Sequence, residues 1–193
     1  AFQGVALGAA AGFLLALFWH RRAVRAGAAS VRAVHELFWG LLLMQVTGLS
    51  TLTGVLAIAL PYAGIFAKVF GEFLEEADPA PAVALPDDRR RLGRFFYARL
   101  PLIWASCKAY TGYRLECALR ASAILGFIGL PTLGFHLETA FREGHYGEGA
   151  ALLYLLFLLI LTLRFWLRPL LLPVYLLAAL IWAPPVWTGS LQT

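Results

Sequence analysis

A chain of 193 residues that is 61% hydrophobic and 14% charged, with a mean hydropathy of +0.74, is too apolar for an ordinary water-soluble domain. Its formal charge of +5 has the sign that suits nucleic acid. The arginines, however, gather where apolar runs end, as orientation in a membrane requires, and this argues against a nucleic-acid partner. The expected class is all-α: a polytopic membrane protein of about six transmembrane helices in a lipid bilayer.

The first span is expected from about Phe2 to Trp19, with Gly4, Gly8 and Gly12 at a spacing that lets a neighbouring helix approach closely. His20, Arg21, Arg22, Arg25 and Arg32 follow and mark a cytoplasmic end. A second span, about Val34 to Val46, opens on His35 and Glu36. That pair reads either as a helix-end contact, the favoured reading, or as a proton relay. Gly48 to Gly54 is an uncharged outer turn. The third span, about Leu52 to Phe70, contains Pro61 and Gly64 as candidate kinks and returns to Lys68.

A charged loop then runs over residues 72–101, with Glu72, Glu75, Glu76 and Asp78 on one side of Pro79, Pro81 and Pro86. Beyond Pro86 the order of Asp87 and Asp88 before Arg89, Arg90, Arg91 and Arg94 suits a helix dipole, so a short surface helix is predicted from Pro86 to Tyr97. The fourth span, about Leu102 to Gly129, holds Lys108, Arg114, Glu116 and Arg120, and ionisable groups at that depth are candidate functional residues. Tyr113, Glu116 and Arg120 share one helical face, with Glu116 and Arg120 in pairing range. They either cement helices together or line a translocation path. Arg114 and Lys108 are expected to reach elsewhere, toward water.

Gly126, Gly129, Pro131 and Gly134 are read as loosening the backbone before an outer segment from Phe135 to Gly149. A fifth span, about Ala150 to Leu163, returns to Arg164 and Arg168, and a sixth, Leu170 to Trp182, leads to Pro184 and Pro185. Both ends then lie outside. Cys107 and Cys117 fall about 15 Å apart along one helix and cannot bond to each other there. His136, Glu138 and His145 match no zinc spacing, and no Gly-rich phosphate loop is present. No catalytic residue, metal or cofactor is therefore expected.

Three stretches, Arg32-Ala-Val-His-Glu36-Leu-Phe-Trp39, Gly54-Val-Leu-Ala-Ile-Ala-Leu60 with Ala63-Gly64 and Lys68, and Phe73-Leu-Glu-Glu-Ala-Asp78-Pro79-Ala-Pro81, resemble the permease subunit of phosphonate-type ABC importers. So do Tyr113-Arg114-Leu-Glu116, Arg120-Ala-Ser122 and Leu125-Gly126-Phe127-Ile-Gly129. The resemblance implies a type I importer permease over 1–168, with no enzymatic activity of its own, in a bacterial inner membrane. It implies three kinds of partner: cytoplasmic ABC ATPase subunits, a second permease half (homodimer or tandem), and an external substrate-binding protein that delivers phosphonate or a related oxyanion. It puts ATPase coupling on Val83, Asp87, Asp88, Arg89, Arg90, Arg91, Gly93, Leu100 and Pro101. The substrate path falls to Tyr113, Arg114, Glu116 and Arg120, with His35 and Glu36 as further intramembrane polar groups. Residues 169–193 read as an additional helix and outer tail, the start of a second permease unit. Where the family has a glutamate near Val83 and a glycine near Arg89, this chain has Pro86-Asp-Asp-Arg-Arg-Arg91. That departure favours the alternative reading, a permease-like scaffold or regulator without transport of its own.

Overall fold

The structure, a computed structural model, describes residues 1–78, 95–130, 132–166 and 172–181. Eight α-helices are described and no strand: α1 (Phe2–Ala16), α2 (Arg22–Ala33), α3 (Glu36–Thr47), α4 (Thr51–Glu76), α5 (Leu100–Gly126), α6 (Leu133–Arg142), α7 (Tyr146–Trp166) and α8 (Leu172–Ile181). A π-helical turn, Phe95–Arg99, leads into α5. The all-α expectation holds.

The central pair is α1 on α4. Gly4 faces Ile58, Gly8 faces Tyr62 and Gly12 faces Phe66, so the two helices run parallel at a fixed offset. A Cβ on Gly4 would lie 2.9 Å from the Ile58 Cβ, and one on Gly8 2.9 Å from the Tyr62 Cβ, closer than real Cβ atoms come. The glycines are thus where one backbone rests on the other's side chains, as their spacing suggested.

Between them the chain returns through two helices where one span was expected. The arginine cluster after Trp19 forms α2, an amphipathic helix whose Val24 and Ala28 pack beside Trp19 and Ala67 while Arg22 and Arg32 stay exposed. Gly64 proves to be a contact point: a Cβ there would meet the Ala28 carbonyl oxygen at 2.8 Å. α4 runs unbroken through Pro61 and Gly64. At the far end, the Gly–Ser–Thr turn closes on the fully buried Thr53, whose hydroxyl donates to the Gly48 carbonyl at 2.7 Å and lies 2.7 Å from the Thr47 hydroxyl. Ser50 caps α4 by accepting from the Thr53 N–H.

Three boundaries differ from expectation. α4 continues through Glu76, so Glu72, Glu75 and Glu76 belong to its last turns rather than to a loop, with Lys68 and Glu72 paired at 3.4 Å. Leu100 and Pro101 open α5, since a proline in the first turn removes no helical hydrogen bond. The segment after α5 is tightly packed, not loose: Gly126 lies against the backbone at Gly134 and Phe135, and Gly134 against the Ala123 carbonyl. Gly129 supplies a left-handed turn at φ +92°. The close approach lets α6 form over a segment to which the sequence reading gave no helix.

α5 runs back antiparallel to α4. Ile103, Cys107, Leu115 and Leu125 of α5 bury against Ile58, Tyr62, Phe66 and Phe70 of α4, and Leu176 of α8 packs onto the same core. Among the described residues, α4 alone is long and apolar enough to cross a membrane unaided. α1, α3 and the Tyr146–Thr162 part of α7 are apolar but shorter, and the 27-residue α5 carries four charged side chains. The helices by themselves therefore do not fix the number of crossings at six. α7 exposes Leu153, Leu155, Phe157, Leu158, Leu161 and Phe165, a run of apolar surface that water does not tolerate and hydrocarbon does.

Candidate functional site

Arg114 lies midway along α5 and turns toward α4. Its Nε donates to the Tyr110 hydroxyl at 2.9 Å, one helical turn back. The guanidinium carbon stands 5.5 Å from the Tyr110 ring centroid, 5.7 Å from that of Tyr62 and 6.0 Å from that of Tyr113. Three ring faces compensate part of the hydration that a half-buried cation gives up. This corrects the expectation that Arg114 reaches into water: the tyrosines on two helices hold it in the bundle. Lys108 lies 5.9 Å from the Trp104 ring centroid.

Glu116 and Arg120 form the pair their spacing suggested, with 2.5 Å between Oε1 and Nη2. Both side chains are about half exposed, and Tyr113 is 58% exposed beside them. The same strip of α5 exposes Leu102, Ala109 and Ile124, with Phe127 just past its end, so a charged centre interrupts a largely apolar face. His35 is the N-cap of α3, its Nδ1 accepting from the Leu37 N–H at 3.2 Å. Glu36 occupies the first turn, where a carboxylate meets the positive end of the helix dipole. His35 Nε2 and Glu36 Oε2 are 4.0 Å apart. The helix-end reading of this pair is the one observed.

The helix ends bordering the charged segment form a second polar centre. Arg25 of α2 pairs with Glu75 of α4, donates from Nε to the Trp19 carbonyl at 2.8 Å and lies over the Trp19 ring. The indole covers Gly71, where any Cβ would strike it. Three helix ends are thereby tied together. A cleft of about 410 Å³ opens beside them, lined among others by Leu17, His20, Glu75, Phe95 and Arg99. Val83, Asp87, Asp88, Arg89, Arg90, Arg91 and Gly93, with most of the surface helix expected from Pro86 to Tyr97, lie outside the described residues. No group of three or more metal-ligating side chains occurs among the described residues.

The chain is 34% identical over 116 residues to the phosphate-import permease protein PhnE of Mycolicibacterium smegmatis (strain ATCC 700084 / mc(2)155), a match covering 58% of this chain and 21% of that protein. It is 30% identical over 142 residues to the putative phosphite transport system permease protein HtxE of Stutzerimonas stutzeri, covering 73% and 54%. It is 33% identical over 125 residues to the phosphite transport system permease protein PtxC of the same organism, covering 64% and 46%. The proteins that the chain is similar to are thus permease components of phosphate and phosphite transport systems. The matches span about half the length of the two phosphite permeases and a fifth of the third protein. No family model and no solved structure matches.

Reading the sequence singled out Tyr113, Arg114, Glu116 and Arg120 but missed Tyr62 and Tyr110. The i, i+4 spacing of Tyr110 and Arg114 was available as a signal. Tyr62, 52 residues before Arg114, carried none, because an aromatic residue in an apolar span reads as core. Arg25 and Glu75 were both noted, but only as parts of separate charge clusters.

Proposed function

We propose that this chain is a transmembrane permease subunit of an ATP-driven, binding-protein-dependent importer for phosphonate or a related phosphorus oxyanion. The observation that carries the reading is its similarity to proteins named as phosphate and phosphite transport permeases. The geometry agrees with it. The basic ends of α1 and α2, the acidic end of α4 and the π-helical turn before α5 meet at one end of the bundle, as a cytoplasmic docking face requires.

On this reading the chain lies in a bacterial inner membrane and crosses it several times, through α1, α2 with α3, α4, α5, α7 and α8. Cytoplasmic ATPase subunits press on the segment between α4 and α5. The motion reaches the mid-span charges as a rigid-body tilt of α5 against α4, and Tyr113, Arg114, Glu116 and Arg120 border the path. A second permease half completes that path, and an external binding protein supplies the anion. ATP is hydrolysed on the ATPase, and this chain has no chemistry of its own. Residues 169–193 begin a further unit of a tandem permease. Relative lengths support this: 116 matched residues are 21% of PhnE whereas 125 are 46% of PtxC, so the former is about twice as long.

The test is uptake of labelled phosphite by cells that lack their own systems and carry the full gene with its ATPase and binding-protein partners. Uptake that depends on this gene is expected, and absence of uptake at normal membrane levels would refute the transport reading. The loop sequence Pro86-Asp-Asp-Arg-Arg-Arg91 favours a second reading, a permease-like scaffold or regulator. Copurification separates the two: a transport permease retains an ATPase subunit in mild detergent, and a scaffold retains some other partner instead.

A further inference from the structure

Arg120 and Arg114 sit six residues apart on α5 but differ in electrostatic state. Arg120 is already neutralised by Glu116. Arg114 forms no ion pair with any described carboxylate, and its one hydrogen bond, from Nε to Tyr110, leaves both terminal nitrogens without a described partner. Across from it on α4, Tyr62 is only 2% exposed, and its hydroxyl bonds to no described residue. A half-buried cation without a counter-charge is unfavourable, and the Tyr62 hydroxyl beside it, although its ring is buried, is not sealed off from a ligand. Placed side by side, the two groups offer the positive charge and the hydrogen-bond donors that an anion requires.

We propose that Arg114, Tyr110 and Tyr62 form a mid-membrane binding station for a tetrahedral phosphorus oxyanion. Tyr110 is the positioning residue: by occupying Nε it orients the guanidinium so that Nη1 and Nη2 present a two-pronged edge. That edge matches two oxygens of the anion, a fit that a point-charge ammonium does not reproduce. The Tyr62 hydroxyl donates to another oxygen. The ring faces keep the guanidinium weakly hydrated while the site is empty and charged, so that the anion displaces little water. Arg114 is 14 residues from the start of α5, about 21 Å along its axis. At that depth a phospholipid headgroup is the wrong source of phosphate oxygens, and a solute in transit is the right one. This inference rests on the permease reading and deepens it by separating the two arginines.

The experiment uses the purified full chain in nanodiscs and phenylglyoxal, which modifies accessible guanidinium groups, with peptide mass analysis resolving each arginine. Phosphite at about four times its Kd should slow modification of Arg114 about fivefold and leave the exposed Arg22 unchanged. Y110F should reduce that protection, because the guanidinium loses its anchor. Equal rates at Arg114 with and without phosphite overturn the proposal. So does an Arg114 inert in both conditions, which no solute reaches. Protection by phosphatidylglycerol discs without phosphite, absent in phosphatidylcholine discs, reassigns the site to lipid and overturns it too. The cellular uptake measurement fails or succeeds independently, so loss of the station is distinguishable from loss of the transport reading.

Discussion

The two faces of α4 are built on opposite principles. Toward α1 it meets glycine: Gly4, Gly8 and Gly12 let the helices touch nearly backbone to backbone, with few side chains to rearrange. Toward α5 it meets rings. Phe66 packs edge-on to Tyr110 at 5.8 Å, Phe73 to the same ring at 6.5 Å, and Tyr62 stands over Arg114. A glycine seam leaves no side chain free to change rotamer, whereas a seam of large rings and one cation can repack by side-chain rotation. The contrast makes α1 and α4 one body and puts the adjustable joint between α4 and α5, where the polar groups are.

The largest effect should come from breaking the rigid seam. Gly8→Leu forces a branched side chain into the Tyr62 Cβ and Ala59 carbonyl, an overpacking expected to destabilise by more than about 3 kcal/mol. Membrane-inserted protein should fall sharply, as measured by accumulation and protease resistance. Normal levels would mean that the seam is looser than described. Next is the adjustable joint. Arg114→Ala should leave accumulation near wild type but lower phosphite uptake at least about tenfold, since an ionisable residue at this depth is kept for function. An equal loss of protein and uptake would make Arg114 a packing residue instead.

Arg25→Ala sharpens the comparison at the basic end of the α1–α4 body. It removes the Glu75 pair and the Trp19 carbonyl bond, both near the surface, so about 1 kcal/mol is expected in thermal unfolding. If ATPase coupling passes through this clamp, uptake should fall by more than the stability loss explains. The smallest effect is Lys68→Met, which removes an exposed i, i+4 pair with Glu72. It should change stability by about 0.3–0.5 kcal/mol and leave uptake unaltered.

The rigid seam was legible in the sequence and the joint was not, for a physical reason. Glycines four apart announce close approach whatever the partner is, and Glu116 with Arg120 is a local pair that helix geometry alone sets. The Tyr62–Arg114 contact is tertiary, and nothing along the chain distinguishes this tyrosine from a core aromatic. α2 was missed for another reason. Its arginines were read as the flank of a span, although Val24 and Ala28 recur at helical spacing within them. Gly64 was read as a kink because local sequence does not reveal that another backbone, at Ala28, comes to rest on it. His35 was readable either way until the Leu37 N–H showed which group it serves.

The two thiols of α5 give the molecule a built-in gauge. Cys107 is buried in the core, while Cys117, one turn from Arg114, is partly open. A small thiol reagent supplied from the aqueous phase would therefore tag the second sulfur in step with hydration of the bundle's midsection and leave the first as an internal blank. Water entry during a turnover cycle can be timed in the native chain, with no foreign label engineered into it.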